Sequence, residues 1–197
     1  GMGDSQGGGF FPADMKFAGF DGIVVYGQAS APVYLWLHEG RAELRDAAHL
    51  WGRTTTEVEE ILRRELGDER IEVAQCGPAG ERLARLAAIM NMANRANGRT
   101  GLGAVMGAKR LKAVVVRGRP RRIAVADAER VKELARSGVQ ALRDNPDVWA
   151  FHEYSTASVV RNQQRRGTLP HRNYSEGQFY YFDALSGERM AATIMNQ

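Results

Sequence analysis

Hydrophobic and polar positions follow three different rhythms along this chain. Ile23–Tyr26 (IVVY) and Leu111–Val116 (LKAVVV) are short apolar runs between turn residues, the pattern of buried strands. Val33–Leu37 (VYLWL) has the same character and is broken by Glu39-Gly40. The short Ala42–Arg45 segment after it predicts a hairpin partner, and Ile71–Ala74 alternates as a further strand. A helical rhythm takes over at Val58, Ile61, Leu62 and Leu66. Thr54 and Glu57 before it have capping-box spacing, and Gly67 supplies the stop. Pro12–Phe17 predicts a short helix with proline in its first turn, and Gly19–Gly22 a turn after it. Gly77–Gly80 reads as a turn. Leu83–Met92 fits either an alanine-rich helix or a buried strand, and Gly101–Lys109 predicts a short helix on a glycine-rich N-terminus.

The rhythm changes after Val116. Arg117-Gly118-Arg119-Pro120-Arg121-Arg122 reads as a linker. Beyond it Asp127 caps a helix through Val131, Leu134 and Leu142, Ser155–Arg165 predicts a second helix, and Ser186–Met195 begins a third. The aromatic-rich stretch from Pro170 to Tyr181 predicts an irregular connection. The fold class expected is α+β. A mixed β-sheet domain occupies residues 1–123 and the first helices of an all-α region occupy 124–197.

With 197 residues the chain can form one or two domains. No apolar run approaches the ~20 residues of a membrane span, and no signal-peptide pattern opens the chain. Gly1 before Met2 is set aside as a tag remnant. One cysteine, Cys76, excludes an internal disulfide framework and cannot alone hold an iron–sulfur cluster. A reduced, cytoplasmic protein is therefore expected. The net charge of +4 fits either nucleic acid or an anionic cofactor, but the arginines are spread along the whole chain rather than clustered.

Two segments carry candidate chemistry. Arg95–Lys109 (RANGRTGLGAVMGAK) combines two arginines four apart with four glycines. Guanidinium forks beside bare backbone N–H groups suit a phosphate. Gly7-Gly8-Gly9, directly before Phe10-Phe11-Pro12, is the second. A Walker motif fails because Ala104 stands where lysine is required, and no strand immediately precedes the glycines as a dinucleotide fingerprint demands. Gly98-Arg99-Thr100-Gly101 mimics the GXXG loop of an RNA-binding module. A basic nucleic-acid-binding module using that loop and Arg117–Arg122 is thus the rival reading. The four histidines show no metal-ligand spacing, and neither a nucleophilic triad nor a carboxylate pair stands out.

Four blocks in register resemble one family. Gly7–Gln28 (GGGFFPADMKFAGFDGIVVYGQ), Asp46–Gly52 (DAAHLWG), Gly77–Leu83 (GPAGERL) and Arg95–Gly118 (RANGRTGLGAVMGAKRLKAVVVRG) look like the N-terminal domain of the aldehyde:ferredoxin oxidoreductases. Gly167–Tyr174 resembles that family's early helical region. The resemblance implies a tungsten (or molybdenum) bis-pterin cofactor whose phosphates are bridged by Mg2+, and a [4Fe–4S] cluster in the intact family member. By position it implies that Gly8 offers its backbone to a pterin. Arg95, Gly98 and Arg99 then contact the phosphates, while Gln6 and the carbonyl of Ala96 face the magnesium. Gln6 stands where the family usually has asparagine, one methylene longer. The resemblance further implies oxidation of aldehydes to carboxylates with ferredoxin, or another electron-transfer protein, as acceptor; a sister branch reduces aromatic acyl-CoA thioesters. No nucleic acid, no membrane and a possible homo-oligomer complete the expected partners. The family's cluster cysteines would begin about where this chain ends, so the chain alone is expected to be inactive and to bind no cluster.

Overall fold

The computed structural model describes residues 2–119 and 125–195. It divides into two compact units, Gly1–Ile123 and Ala124–Gln197.

The first unit is built on a six-stranded mixed sheet with strands β1 (Val33–His38), β2 (Arg41–Asp46), β3 (Glu72–Cys76), β4 (Ile89–Asn91), β5 (Arg95–Asn97) and β6 (Leu111–Arg117), in the order β2-β1-β6-β3-β4-β5. β1 and β2 form the expected hairpin, while β1 and β6 run parallel. The ladder between them carries one irregularity. Val33 pairs with Leu111 but Tyr34 with Ala113, so Lys112 is the extra residue of a bulge. That shift puts Leu111 on the same face as Val114 and Val116. Ala113 and Val115 pack with Tyr34, Trp36, Val58 and Leu62 on one side; Leu111, Val114 and Val116 pack with Leu37, Cys76 and Met106 on the other.

Helices cover both faces. Helix α2 (Thr55–Leu66) starts at the Thr54–Glu57 capping box, with the Thr54 N–H donating to Glu57 at 2.8 Å, and ends at Gly67 in a left-handed cap. Helix α1 (Phe11–Ala18) and helix α4 (Leu102–Ala108) serve the other face. Gly77–Gly80, expected as a turn, begins a single helical turn, α3 (Pro78–Glu81). The ambiguous Leu83–Met92 stretch resolves as turns leading into the three-residue β4. The expected strand Ile23–Tyr26 does not form. The segment has no regular secondary structure, and only Ile23 packs toward the core, while Val24 and Tyr26 are 74% and 89% exposed. Among the described residues no strand pairs with it, so its apolar sequence was not enough to make it a ladder member.

The second unit is helical. Helix α5 (Ala128–Arg143) is capped by Asp127, whose carboxylate accepts from the Arg130 N–H at 2.9 Å. The predicted second helix, Ser155–Arg165, opens as a 3-10 turn before becoming α-helical, and the positive φ of 53° at Ser155 separates it from the helix before it. An extra helix, α6 (Pro146–Tyr154), precedes Ser155; a 3-10 turn over Ser155–Val159 and helix α7 (Val160–Arg166) follow it. Helix α8 (Gly187–Met190) is capped by Ser186. Of the expected linker, Arg117 belongs to β6, where it is ion-paired with Asp68 at 2.6 Å; residues 120–122 lie outside the described residues.

Candidate functional site

The β4–β5 hairpin and the loop after it place the arginine segment at one edge of the sheet. Its turn is sharp: Met92 and Ala93 both adopt positive φ, 50° and 53°. Non-glycine residues hold that conformation only with outside support. Glu59 of α2 supplies it, because Oε1 accepts the Ala93 N–H at 2.6 Å, while Oε2 accepts from Arg63 at 3.1 Å. Burial raises the Glu59 carboxyl above its ordinary range, against the hydrogen bond and charge that lower it. A raised folded-state value makes the native protein bind the proton more tightly than the unfolded chain. Glu59 therefore contributes most in acid, and its contribution falls as pH rises through the interval between the ordinary and the raised value. Glu59→Ala orphans the Ala93 amide and is expected to cost about 1–3 kcal/mol. In urea titrations across mildly acidic pH, the gap from wild type should narrow as pH increases.

The glycine-rich N-terminal segment lies along this hairpin. Ser5 Oγ accepts the Arg99 N–H at 3.1 Å, and the Asp4 carbonyl accepts from Thr100 Oγ1 at 3.4 Å. Gly7 sits against the side chains of Asn97 and Asn91, where a Cβ would overlap Asn97 Oδ1. A Cβ on Gly9 would come within 2.6 Å of Met92 Sδ. Two glycine-bearing segments some ninety residues apart in sequence thus form one surface.

On that surface the sequence-derived candidates separate by environment. Gly8 has no atom within 4 Å of where a Cβ would stand, and Gly98 has only the Ala96 methyl at 3.9 Å. Arg95 and Ala96 lie on β5; Arg95, Ala96, Gly98 and Arg99 are all exposed. Among the described residues neither Arg95 nor Arg99 has a carboxylate partner, whereas Arg45, Arg63, Arg117 and Arg161 are each ion-paired. Gln6 is exposed at the mouth of a cavity of about 510 Å³, which also takes in Ser5, Asn91 and Asn97. Among the described residues no three His, Cys, Asp or Glu side chains group as a metal site.

The remaining glycines of the segment do not belong to an anion cradle. A Cβ on Gly103 would overlap the Ala88 carbonyl, and one on Gly107 the Gly80 carbonyl. The Gly103 N–H is already spent on the Ala87 carbonyl at 2.9 Å. These residues let α4 lie directly on α3 and on the chain before β4, so Gly103 and Gly107 serve packing, whereas Gly98 is exposed.

Three side chains were missed by sequence reasoning. Glu59 reads as one more polar residue of an amphipathic helix. Asn91 and Asn97 are the others. Asn91 is 5% exposed, and its Oδ1 has no hydrogen-bond partner among the described residues. Asparagine is common in turns, so nothing in its spacing marked it.

A buried ion pair ties other parts of the first unit together. Lys112 Nζ donates to Glu81 Oε1 at 2.5 Å and to the Arg53 carbonyl at 3.1 Å; Glu81 Oε2 accepts the Gly52 N–H at 2.7 Å. Gly52, Glu81 and Lys112 come from three of the four sequence blocks that resembled the oxidoreductases, so those blocks meet in one buried contact.

Comparison with known proteins shows the family of the chain. Residues 1–118 match the family model described as aldehyde ferredoxin oxidoreductase, N-terminal domain. The tungsten-containing aldehyde ferredoxin oxidoreductase of Pyrococcus abyssi is 44% identical over 189 residues, which is 95% of this chain and 31% of that protein. An aliphatic sulfonate oxidoreductase, WOR-like subunit, from Pyrococcus furiosus is 35% identical over 176 residues, covering 83% of this chain and 28% of the other. Among solved structures, the active-site complex BamBC of benzoyl coenzyme A reductase, bound to 1,5-dienoyl-CoA, matches with a TM-score of 0.68 and 39% identity over 71% of this chain and 21% of that one. The chain thus spans less than a third of the length of each of these relatives. On its sequence blocks, its sheet and these matches, the chain belongs to the aldehyde ferredoxin oxidoreductase family, with residues 1–118 as the N-terminal domain.

Proposed function

We propose that the first unit is one half of a seat for a tungsten bis-pterin cofactor. The observation that carries this reading is the meeting of the Gly7–Gly9 segment with the 95–99 strand and loop, where two arginines have no carboxylate partner among the described residues and the Cβ positions of Gly8 and Gly98 are open. Arg95, Gly98 and Arg99 are assigned to the phosphates and Gly8 to the pterin. The Ala96 carbonyl and Gln6 are assigned to a bridging Mg2+, which prefers oxygen ligands. The donor set fits, since forked guanidinium groups and free amides are what phosphate oxygens require. When bound, the metal–dithiolene group supplies two-electron redox chemistry, and the protein orients it and shapes its field.

The whole protein's reaction is proposed as oxidation of an aldehyde and water to a carboxylate, with two electrons passed to ferredoxin. Reduction of an aromatic acyl-CoA is the second reading, favoured by the benzoyl coenzyme A reductase match. Any [4Fe–4S] cluster must draw its thiolates from sequence other than these 197 residues. Cys76 is fully buried, and desolvation pushes its thiol up to about 11, so it is a packed apolar group rather than a thiolate ligand. For this reason the chain alone is proposed to lack oxidoreductase activity. Among the described residues no helix is long and apolar enough to cross a membrane.

Gly8 gives a clean test. Because its Cβ position is open, Gly8→Leu should leave the thermal midpoint of the chain unchanged while intruding on anything seated above it. The cofactor readout uses a tungsten enzyme in which this chain replaces the matching segment of the Pyrococcus abyssi relative. There Gly8→Leu should sharply lower the tungsten content of the purified protein. Full tungsten content in that variant would sink the seat.

A further inference from the structure

At the end of the sheet opposite β5, strand β2 presents an open edge. The turn between β1 and β2 has two residues, Glu39 and Gly40, both with positive φ (48° and 75°), and it closes on His38 paired with Arg41. The odd-numbered residues of β2 therefore turn their N–H and C=O groups toward β1. The Ala47 N–H continues that series, donating to the Pro32 carbonyl at 2.9 Å. The backbone groups of Ala42, Leu44 and Asp46 point the other way, and among the described residues no strand pairs with them. Edge strands are ordinarily kept from pairing by brevity, proline or a bulge. β5 is three residues long, but β2 has six, without proline and with an unbroken register against β1. Leu44 on this edge is 70% exposed. Glu43 and Arg45 lie on the other face of the strand, where Glu43 accepts from Arg45 at 2.7 Å.

We propose that β2 is a docking edge for a second copy of this chain, which adds its own β2 antiparallel across a two-fold axis at Leu44. Charge sets the register. Hydrogen-bonded pairs need outward backbone groups from both strands, so even-numbered positions must face even-numbered ones. With Leu44 opposite its equivalent, Ala42 faces Asp46, and the N–H and C=O groups of all three find partners. Glu43 then stands opposite Arg45 of the second copy, and Arg45 opposite Glu43, in the kind of pair that brings side chains closest. The other registers fail. Ala42 opposite Leu44 sets Glu43 against Glu43 and Arg41 against Arg45, and Leu44 opposite Asp46 sets Arg45 against Arg45. Like charges directly opposite one another are destabilising. Ala42 opposite Ala42 would run the ladder into the Glu39-Gly40 turn. The strand is thus self-complementary in one register, as a two-fold contact between identical chains requires. The same register covers Leu44 with its equivalent. None of this depends on the cofactor reading.

Sedimentation velocity of the 197-residue chain should show a concentration-dependent monomer–dimer equilibrium. Glu43→Arg and Arg45→Glu should each weaken dimerisation by about tenfold or more, since each sets like charges face to face. An equimolar mixture of the two variants should restore it, because every cross-strand pair of the mixed dimer is again of opposite charge. Register is read separately. Cys76 is buried, so a cysteine placed on the edge supplies the accessible thiol. Under mild oxidation Leu44→Cys should be captured as a disulfide-linked dimer. Ala42→Cys, whose equivalent lies beyond Leu44 at the other end of the ladder, should not. Should either charge variant fail to fold, as judged by circular dichroism, the two cysteine variants decide alone. A strict monomer at the highest soluble concentration, a dimer that survives both charge variants, a mixture of folded variants that stays monomeric, or equal capture at the two cysteine positions each overturns the assignment.

Discussion

Lys112→Met is expected to lower the unfolding free energy of the chain by about 3–5 kcal/mol, because it strands the Glu81 carboxylate in the interior. The side chains of Lys112 and Glu81 are 0% and 4% exposed, so water cannot take over from the missing ammonium. The loss is not confined to one contact. Lys112 also holds the Arg53 carbonyl and Glu81 the Gly52 N–H, so the pair ties β6, α3 and the chain before α2 together. Adding Glu81→Gln to Lys112→Met removes the orphaned charge yet keeps an acceptor for Gly52, and should recover much of the loss. A double-mutant cycle by urea unfolding measures this directly. Burial also predicts little dependence of the cycle on salt, unlike the exposed pair Lys132–Glu129. A single-variant cost below about 1 kcal/mol would show that the pair is hydrated and contributes as surface pairs do.

That pair also shows where the sequence was legible and where it was not. Elements whose signals are local were read correctly. The Thr54–Glu57 box, the Gly67 stop, the β1–β2 hairpin and the proline-started α1 all depend on residues within a few positions of one another. Lys112 depends on a bulge between strands almost eighty residues apart, and on one side chain and one backbone carbonyl brought from elsewhere. In sequence it is merely the polar letter in an apolar run. Ile23–Tyr26 failed for the converse reason. Its composition is that of a strand, but strand formation needs a ladder partner, and composition does not supply one. Helix α6 was missed although Asn145 and Pro146 mark its start, because Val148, Trp149 and Phe151 do not repeat on one clear helical face.

At the candidate site the division is similar. Arg95 and Arg99 stood out by their spacing beside glycines, and among the described residues neither has a carboxylate partner in space. The glycines between Gly101 and Gly107 stood out equally but serve packing. Sequence cannot tell a glycine that makes room for a ligand from one that makes room for a helix; the neighbour that a Cβ would meet decides, and for Gly103 and Gly107 it is backbone. Asn91 was silent because burial, which gives its carbonyl meaning, is a property of the fold alone.

Removal of both guanidinium groups should have the opposite signature to Lys112→Met. Arg95 and Arg99 are exposed and have no carboxylate partner among the described residues, so Arg95→Ala/Arg99→Ala should leave the thermal and urea midpoints of the chain where they were. Cofactor retention should collapse. A charge-assisted hydrogen bond contributes about 1.5–3 kcal/mol, so each single variant should lose that much affinity. If the two groups grip different phosphate oxygens, the double variant should lose about twice as much. Tungsten content of the rebuilt Pyrococcus enzyme, measured after gel filtration, reads the effect. The Arg95→Lys/Arg99→Lys pair sharpens the test. Lysine keeps the charge but not the planar fork, so it should restore only part of the tungsten if the grip is bidentate. Full restoration would mean that charge alone suffices and that the fork geometry is idle. Wild-type tungsten in the double alanine variant would mean that these arginines face a ligand other than the cofactor, and the seat would have to be abandoned.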